Sequence, residues 1–167
     1  MEHPETAATL MRAELFEGLD PRVVDQVAGI AERRSIPAGQ HVFFEGDIAT
    51  EFYVVASGSV RVYIPSRGEE FNAAIVRGGQ MFGEGGLLDG GPRVASALAL
   101  EPTTLLAVRR EPWLALTRSE PTLALRVFSA FGAALRSYVG HMVDSLFLDV
   151  EIPDAPPPPG EEWPASK

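Results

Sequence analysis

From Arg33 to Arg110 the apolar residues recur at a period of two, and glycines stand at regular intervals between the runs. This pattern excludes a helical bundle and asks for many short strands joined by tight turns. His41-Val42-Phe43-Phe44 reads as a strand ended by Glu45-Gly46-Asp47. Phe52-Tyr53-Val54-Val55 and Val60-Arg61-Val62-Tyr63-Ile64 read as two strands joined through Ser57-Gly58, a hairpin signal. Further strands are expected at 71–76, 95–100 and 104–108, with turns at Ile36-Pro37-Ala38-Gly39, Arg67-Gly68 and Gly78-Gly79. The expectation is a mainly β domain with flanking helices, closed as a roll or barrel.

The flanks have the other period. Residues 5–14 form a short helical pattern broken by Gly18. Asp20 then caps a second helix with Pro21 at its first position, running to about Arg33. Another helical block starts at Glu111-Pro112, and a longer one runs from about Pro121 to Leu148. On that long helix Phe128, Phe131, Leu135, Tyr138 and Met142 alternate three and four apart, and Val127, Ala134, Val139, Val143 and Leu146 lie beside them. Two stripes exceed what one packing face needs. The excess points to a symmetric dimer, the alternative being a helix folded into a groove of its own monomer.

Between the strands lies Phe82-Gly83-Glu84-Gly85-Gly86-Leu87-Leu88-Asp89-Gly90-Gly91-Pro92-Arg93-Val94-Ala95-Ser96. Glycines let backbone N–H groups approach an anion. Leu87-Leu88 can form one helical turn with its N–H groups aimed at that anion. Arg93 supplies a planar fork of donors for phosphate oxygens, and Ser96 adds a hydroxyl. Glu84 cannot face a phosphate, so it is expected to accept from a neutral hydroxyl such as a ribose 2′-OH. A phosphate and a ribose hydroxyl side by side describe a nucleotide. The bland alternative is a glycine-rich turn with an exposed Glu and Arg.

This stretch resembles the phosphate-binding cassette of the cyclic nucleotide-binding domain family: Phe-Gly-Glu, an apolar turn, then Pro-Arg-x-Ala-Ser. That family includes the bacterial catabolite activators and the regulatory subunits of cAMP-dependent protein kinase. The resemblance extends over about residues 10–150 through Phe16-Glu17-Gly18-Leu19, Ile36-Pro37-Ala38-Gly39, Glu45-Gly46-Asp47 and the Phe52 to Val62 hairpin. It implies a jelly-roll-like β-roll followed by a C-terminal helix, here over 1–148, with dimer contacts at about 121–148. It gives the ribose 2′-OH to Glu84 and the cyclic phosphate to Arg93, helped by Gly83, Gly86, Leu87, Val94 and Ser96. The implied ligand is cAMP, with cGMP or a cyclic dinucleotide as alternatives and no metal. Gly85 departs from the family, which usually has an apolar residue there, and a looser cassette is expected.

The long helix aligns without gaps to the dimer helix of the catabolite activators and ends on their Phe-Leu-Asp-Val, here Phe147 to Val150. Their adenine-reading Thr-Ser pair falls on Tyr138 and Val139. Tyrosine offers a face for stacking and valine offers no hydrogen bond, so loose base selection is expected, with cAMP preferred over cGMP by less than about tenfold. Where those regulators continue into a helix-turn-helix, residues 149–167 turn to proline and acid, the pattern of a disordered or polyproline tail. No recognition helix is expected, and the net charge of −9 opposes nucleic acid and anionic membranes.

The functional expectation is therefore a cytoplasmic sensor module, not an enzyme, that signals through a separate downstream protein. A degenerate roll used only for protein association is the rival. The chain lacks cysteine, which removes disulfides and thiolate chemistry. His3, His41 and His141 show no metal-ligand spacing, and Ser96 has no evident histidine base.

Overall fold

The computed structural model describes residues 2–66, 68–86 and 90–147. Helix α1 (Pro4–Leu10), a 3-10 turn (Glu14–Phe16) and helix α2 (Pro21–Ile30) lead into the strands. These are β1 (Ala31–Ile36), β2 (His41–Phe43), β3 (Glu51–Ser57), β4 (Ser59–Ser66), β5 (Glu69–Arg77), β6 (Met81–Phe82), β7 (Ser96–Ala99) and β8 (Thr103–Arg109). Helices α3 (Arg110–Ser119) and α4 (Pro121–Phe147) close the described chain. Residues 149–167, read as a proline-rich tail, lie outside the described residues.

The strands form two antiparallel four-stranded sheets, ordered β1-β8-β3-β6 and β2-β7-β4-β5. The alternation of β3 and β8 shows how they stack. Tyr53, Val55, Leu105 and Ala107 face Val60, Val62, Val76 and Ala97 of the other sheet. Their neighbours Phe52, Val54, Leu106 and Val108 face the helices, meeting Leu10, Phe16, Val24, Trp113 and Leu123. A strand covered on both faces has no polar side to show, so β3 and β8 read as continuous apolar runs. Trp113 packs edge-on against Phe52 with ring centroids 5.1 Å apart.

Several boundaries differ from the sequence expectation, the first being α1, which ends at Leu10 instead of residue 14. Asp20 caps α2 as expected, its Oδ1 accepting from Arg22 N at 2.8 Å, but the helix ends at Ile30 instead of near Arg33. Residues 31–36 instead pair with β8, from Ala31 opposite Val108 to Ile36 opposite Thr103. Arg34 is anchored there by Glu51, at 2.5 and 3.0 Å. The two-residue strand β6 pairs with β3 at Tyr53 and Val54, and so delivers the chain into the glycine-rich segment beside a buried strand.

Candidate functional site

Immediately after β6 the backbone turns at Gly83, whose φ is +79°. A Cβ there would also lie 2.9 Å from Arg93 Nη1, so glycine is required by conformation and by space. The chain then enters a helical turn at Gly85-Gly86, closed by Gly90 N donating to Gly86 O at 2.9 Å. Gly86 lies so close to the preceding loop that a Cβ on it would be 1.9 Å from Ala49 Cβ. The return strand is clamped by Arg93 N donating to Asp47 O at 2.8 Å and Gly46 N donating to Arg93 O at 2.9 Å. The N–H groups of Gly85, Gly86 and Val94 bond to no described residue.

Arg93 is 6% exposed, and no carboxylate among the described residues forms an ion pair with it. Its Nη1 donates to Gly83 O at 2.7 Å and its Nη2 to Glu51 O at 2.6 Å. The guanidinium lies 4.1 Å from the centroid of Phe43, in a stacked group with Tyr53 and Phe82. Carbonyl dipoles and ring faces stabilise a desolvated cation without neutralising it. Burial lowers its pKa below the ordinary arginine value, but an arginine stays charged. Its Nε is buried without a partner among the described residues. Such an atom is costly unless a ligand supplies the acceptor.

Glu84 is 7% exposed and sits on the same pocket. Burial pushes its carboxyl above the ordinary 4.5, while its own backbone N–H and the charge of Arg93 pull the other way. A carboxyl raised in the folded state binds more protons there than when unfolded. Its contribution to stability therefore falls as pH rises from 4.5 through the raised value. Glu84→Gln should remove that slope. Urea unfolding at pH 4.5 and pH 7 checks it: the variant should gain on the parent at the higher pH, and a constant difference would mean Glu84 is not desolvated.

The pocket is an open cleft with about 560 Å³ of empty space, the solvent at its mouth included. Its lining combines the polar pair Glu84 and Arg93 and the glycines at 83, 85 and 86 with the apolar side chains of Val62, Ile64, Ala73 and Phe131. A family profile described as the cyclic nucleotide-binding domain matches residues 33–120, more than half of the chain and all of this site except Phe131. The chain belongs to the cyclic nucleotide-binding domain family. It is similar to the cyclic AMP receptor protein of Thermus thermophilus, with 42% identity over 123 residues, covering 73% of this chain and 57% of that protein. The crystal structure of the Thermus thermophilus catabolite activator protein matches with a TM-score of 0.71 and 41% identity, over 79% of this chain and 62% of that one. The N-terminal domain of a transcriptional regulator from Streptomyces coelicolor A3(2) matches with a TM-score of 0.65 and 30% identity, over 77% and 92%. The chain thus spans less than two thirds of the Thermus relatives' length. By name these relatives are receptors and regulators, not enzymes.

Within this family frame the residues expected from sequence fall in three groups. Gly83, Glu84, Gly86, Arg93 and Val94 line one pocket. Ser96 is buried close by, its Oγ accepting from Glu45 N at 3.0 Å, and it does not line the pocket. Leu87 lies outside the described residues, and of Tyr138 the description covers only its place in α4. Sequence reasoning missed two participants. Glu51 opens β3, holds Arg34 and the Tyr53 hydroxyl with its carboxylate, and offers its carbonyl to Arg93. Burial, with the hydrogen bond to Glu51, raises the Tyr53 phenol and keeps it protonated. Phe131 was assigned to a dimer stripe, but its ring is half-buried at the pocket wall. Among the described residues no group of His, Cys, Asp and Glu could hold a metal, and no helix is long and apolar enough to cross a membrane.

Proposed function

We propose that the protein is a cAMP-type sensor module that binds a cyclic nucleotide in the Glu84–Arg93 pocket and signals through a separate partner protein. The observation that carries this is the buried guanidinium of Arg93, which lacks a carboxylate among the described residues and keeps an unpaired Nε. A cyclic phosphate supplies the missing anion, and the N–H groups of Gly85, Gly86 and Val94 add donors around it. Glu84, too buried to be solvated, accepts from the ribose 2′-OH. The apolar lining of the pocket receives the base. The name of the Thermus thermophilus cyclic AMP receptor protein supports cAMP as the ligand.

The module acts as a homodimer through α4. Leu123 and Val127 are buried against the roll, whereas Leu125 (67%), Phe128 (63%), Leu135 (49%) and Val139 (50%) expose apolar surface along the same helix. Such a row is what a second copy of the helix would cover. Isothermal titration with cAMP, cGMP and a cyclic dinucleotide tests the sensor reading, and sedimentation of the same sample reads the assembly. Micromolar binding of a cyclic mononucleotide by a dimer is expected. No heat with any ligand would leave a roll used only for association.

A further inference from the structure

We propose that Phe131 is the residue that selects the base in this pocket, and that the missing side chain at Gly85 is what admits it. The inference rests on the cyclic-nucleotide reading above. Phe131 and Gly85 lie on different elements, α4 and the glycine-rich turn, yet both line the pocket. A Cβ built on Gly85 would lie 3.7 Å from Phe131 Cε2. That is ordinary contact, so an alanine would fit, but a longer side chain reaching the same way would have to push the ring aside. The glycine is thus a slot, and the aromatic ring borders it.

Phe131 is also where α4 changes surroundings. Val127, one turn earlier, is 2% exposed in the core shared with Phe16 and Trp113, and Leu135, one turn later, is 49% exposed. The ring between them is held against the roll at the pocket. Apart from the polar pair Glu84 and Arg93, the described lining includes Val62, Ile64, Ala73 and Phe131, which offer no side-chain donor or acceptor. An apolar cleft closed by a ring recognises a flat π face by its area and not by its edge groups. Selection is therefore by ring size: purines above pyrimidines, with little distinction between adenine and guanine. Because the ring belongs to α4, a bound base presses on that helix, which also carries the exposed apolar row.

Calorimetry on the full chain with cAMP, cGMP and cCMP tests this in the parent and in Phe131→Leu, Phe131→Trp and Gly85→Leu. Phe131→Leu keeps apolar bulk without a π face. It should weaken both purine ligands by roughly fivefold to a hundredfold and cCMP by less, narrowing the purine-to-pyrimidine ratio. Phe131→Trp should keep the ratio, and Gly85→Leu should act like Phe131→Leu by filling the slot. A ring that only supports the fold would weaken all three ligands together. If the parent binds and Phe131→Leu leaves the ratio unchanged, the Phe131 assignment is wrong and the sensor reading stands. If the parent binds none of the three, both fall.

Discussion

Replacing Arg93 with alanine should abolish detectable cyclic-nucleotide binding. Truncating one partner of a buried, hydrogen-bonded charge pair costs roughly 2–5 kcal/mol, or about thirtyfold to several thousandfold in affinity. A micromolar ligand then drops out of the measurable range. The fold should suffer less, because opposing terms meet at this residue. Alanine loses the bonds to Gly83 O and Glu51 O and uncovers the Phe43 ring. It also removes a desolvated cation whose burial costs several kcal/mol. Arg93→Lys separates charge from geometry. An ammonium keeps the positive charge but lacks the planar fork that spans both carbonyls while presenting Nε. It should fold and still lose most of the affinity. Titration with cAMP beside a thermal melt reads both effects, and an alanine variant that binds within threefold of the parent would remove Arg93 from the site.

The part of the fold legible in sequence is the part where one residue type has one physical use. Glycines at 83 and 86, an acid at 84 and an arginine at 93 each answer a separate demand of the anion-binding turn expected from sequence, and the structure gathers them on one pocket. The buried strands β3 and β8 were legible because both their faces are covered. Strand β1 was not, because Arg33-Arg34-Ser35 shows no apolar face: it is held by pairing to β8 and by the reach of Arg34 to Glu51, both long-range. Strand β6 has two residues, too few to show a period.

Phe131 escaped for a different reason. Helical spacing shows that Phe128 and Phe131 lie near one face, but not how that face is rotated about the axis. The packing of Leu123 and Val127 against the roll sets the rotation, and it leaves Phe128 63% exposed while Phe131 turns to the pocket. Glu51 escaped because an acid at the mouth of a strand looks the same whether its carboxylate meets water or Arg34. The extra glycine at 85, expected to loosen the turn, has a neighbour only because α4 brings a ring to it.

Gly86→Ala should be the most damaging single-methyl change in the site. A Cβ there would lie 1.9 Å from Ala49 Cβ, which no rotamer change relieves because both atoms are fixed by the backbone. Either the loop carrying Ala49 or the turn carrying Gly86 has to move. The loop is tied to the return strand by Ala49 N donating to Gly91 O at 3.3 Å and by Arg93 N donating to Asp47 O at 2.8 Å. Moving it would disturb Arg93, and moving the turn would shift the N–H groups of Gly85 and Gly86. Overpacking of this kind costs roughly 1–3 kcal/mol of stability, so the melting temperature should fall, and affinity for cAMP should fall with it because Arg93 or the N–H groups of the turn are displaced. Ala49→Gly provides the check, since it deletes the atom that is struck. Alone it should cost about 0.5–1 kcal/mol of stability through backbone entropy. Combined with Gly86→Ala it should restore part of the binding. The rescue stays partial because the new Cβ would still meet Ala49 Cα and Gly91 O at 3.3 Å. Strictly additive losses in the double variant would show that the two residues are not in contact, and that the turn is held in place by something other than this close approach.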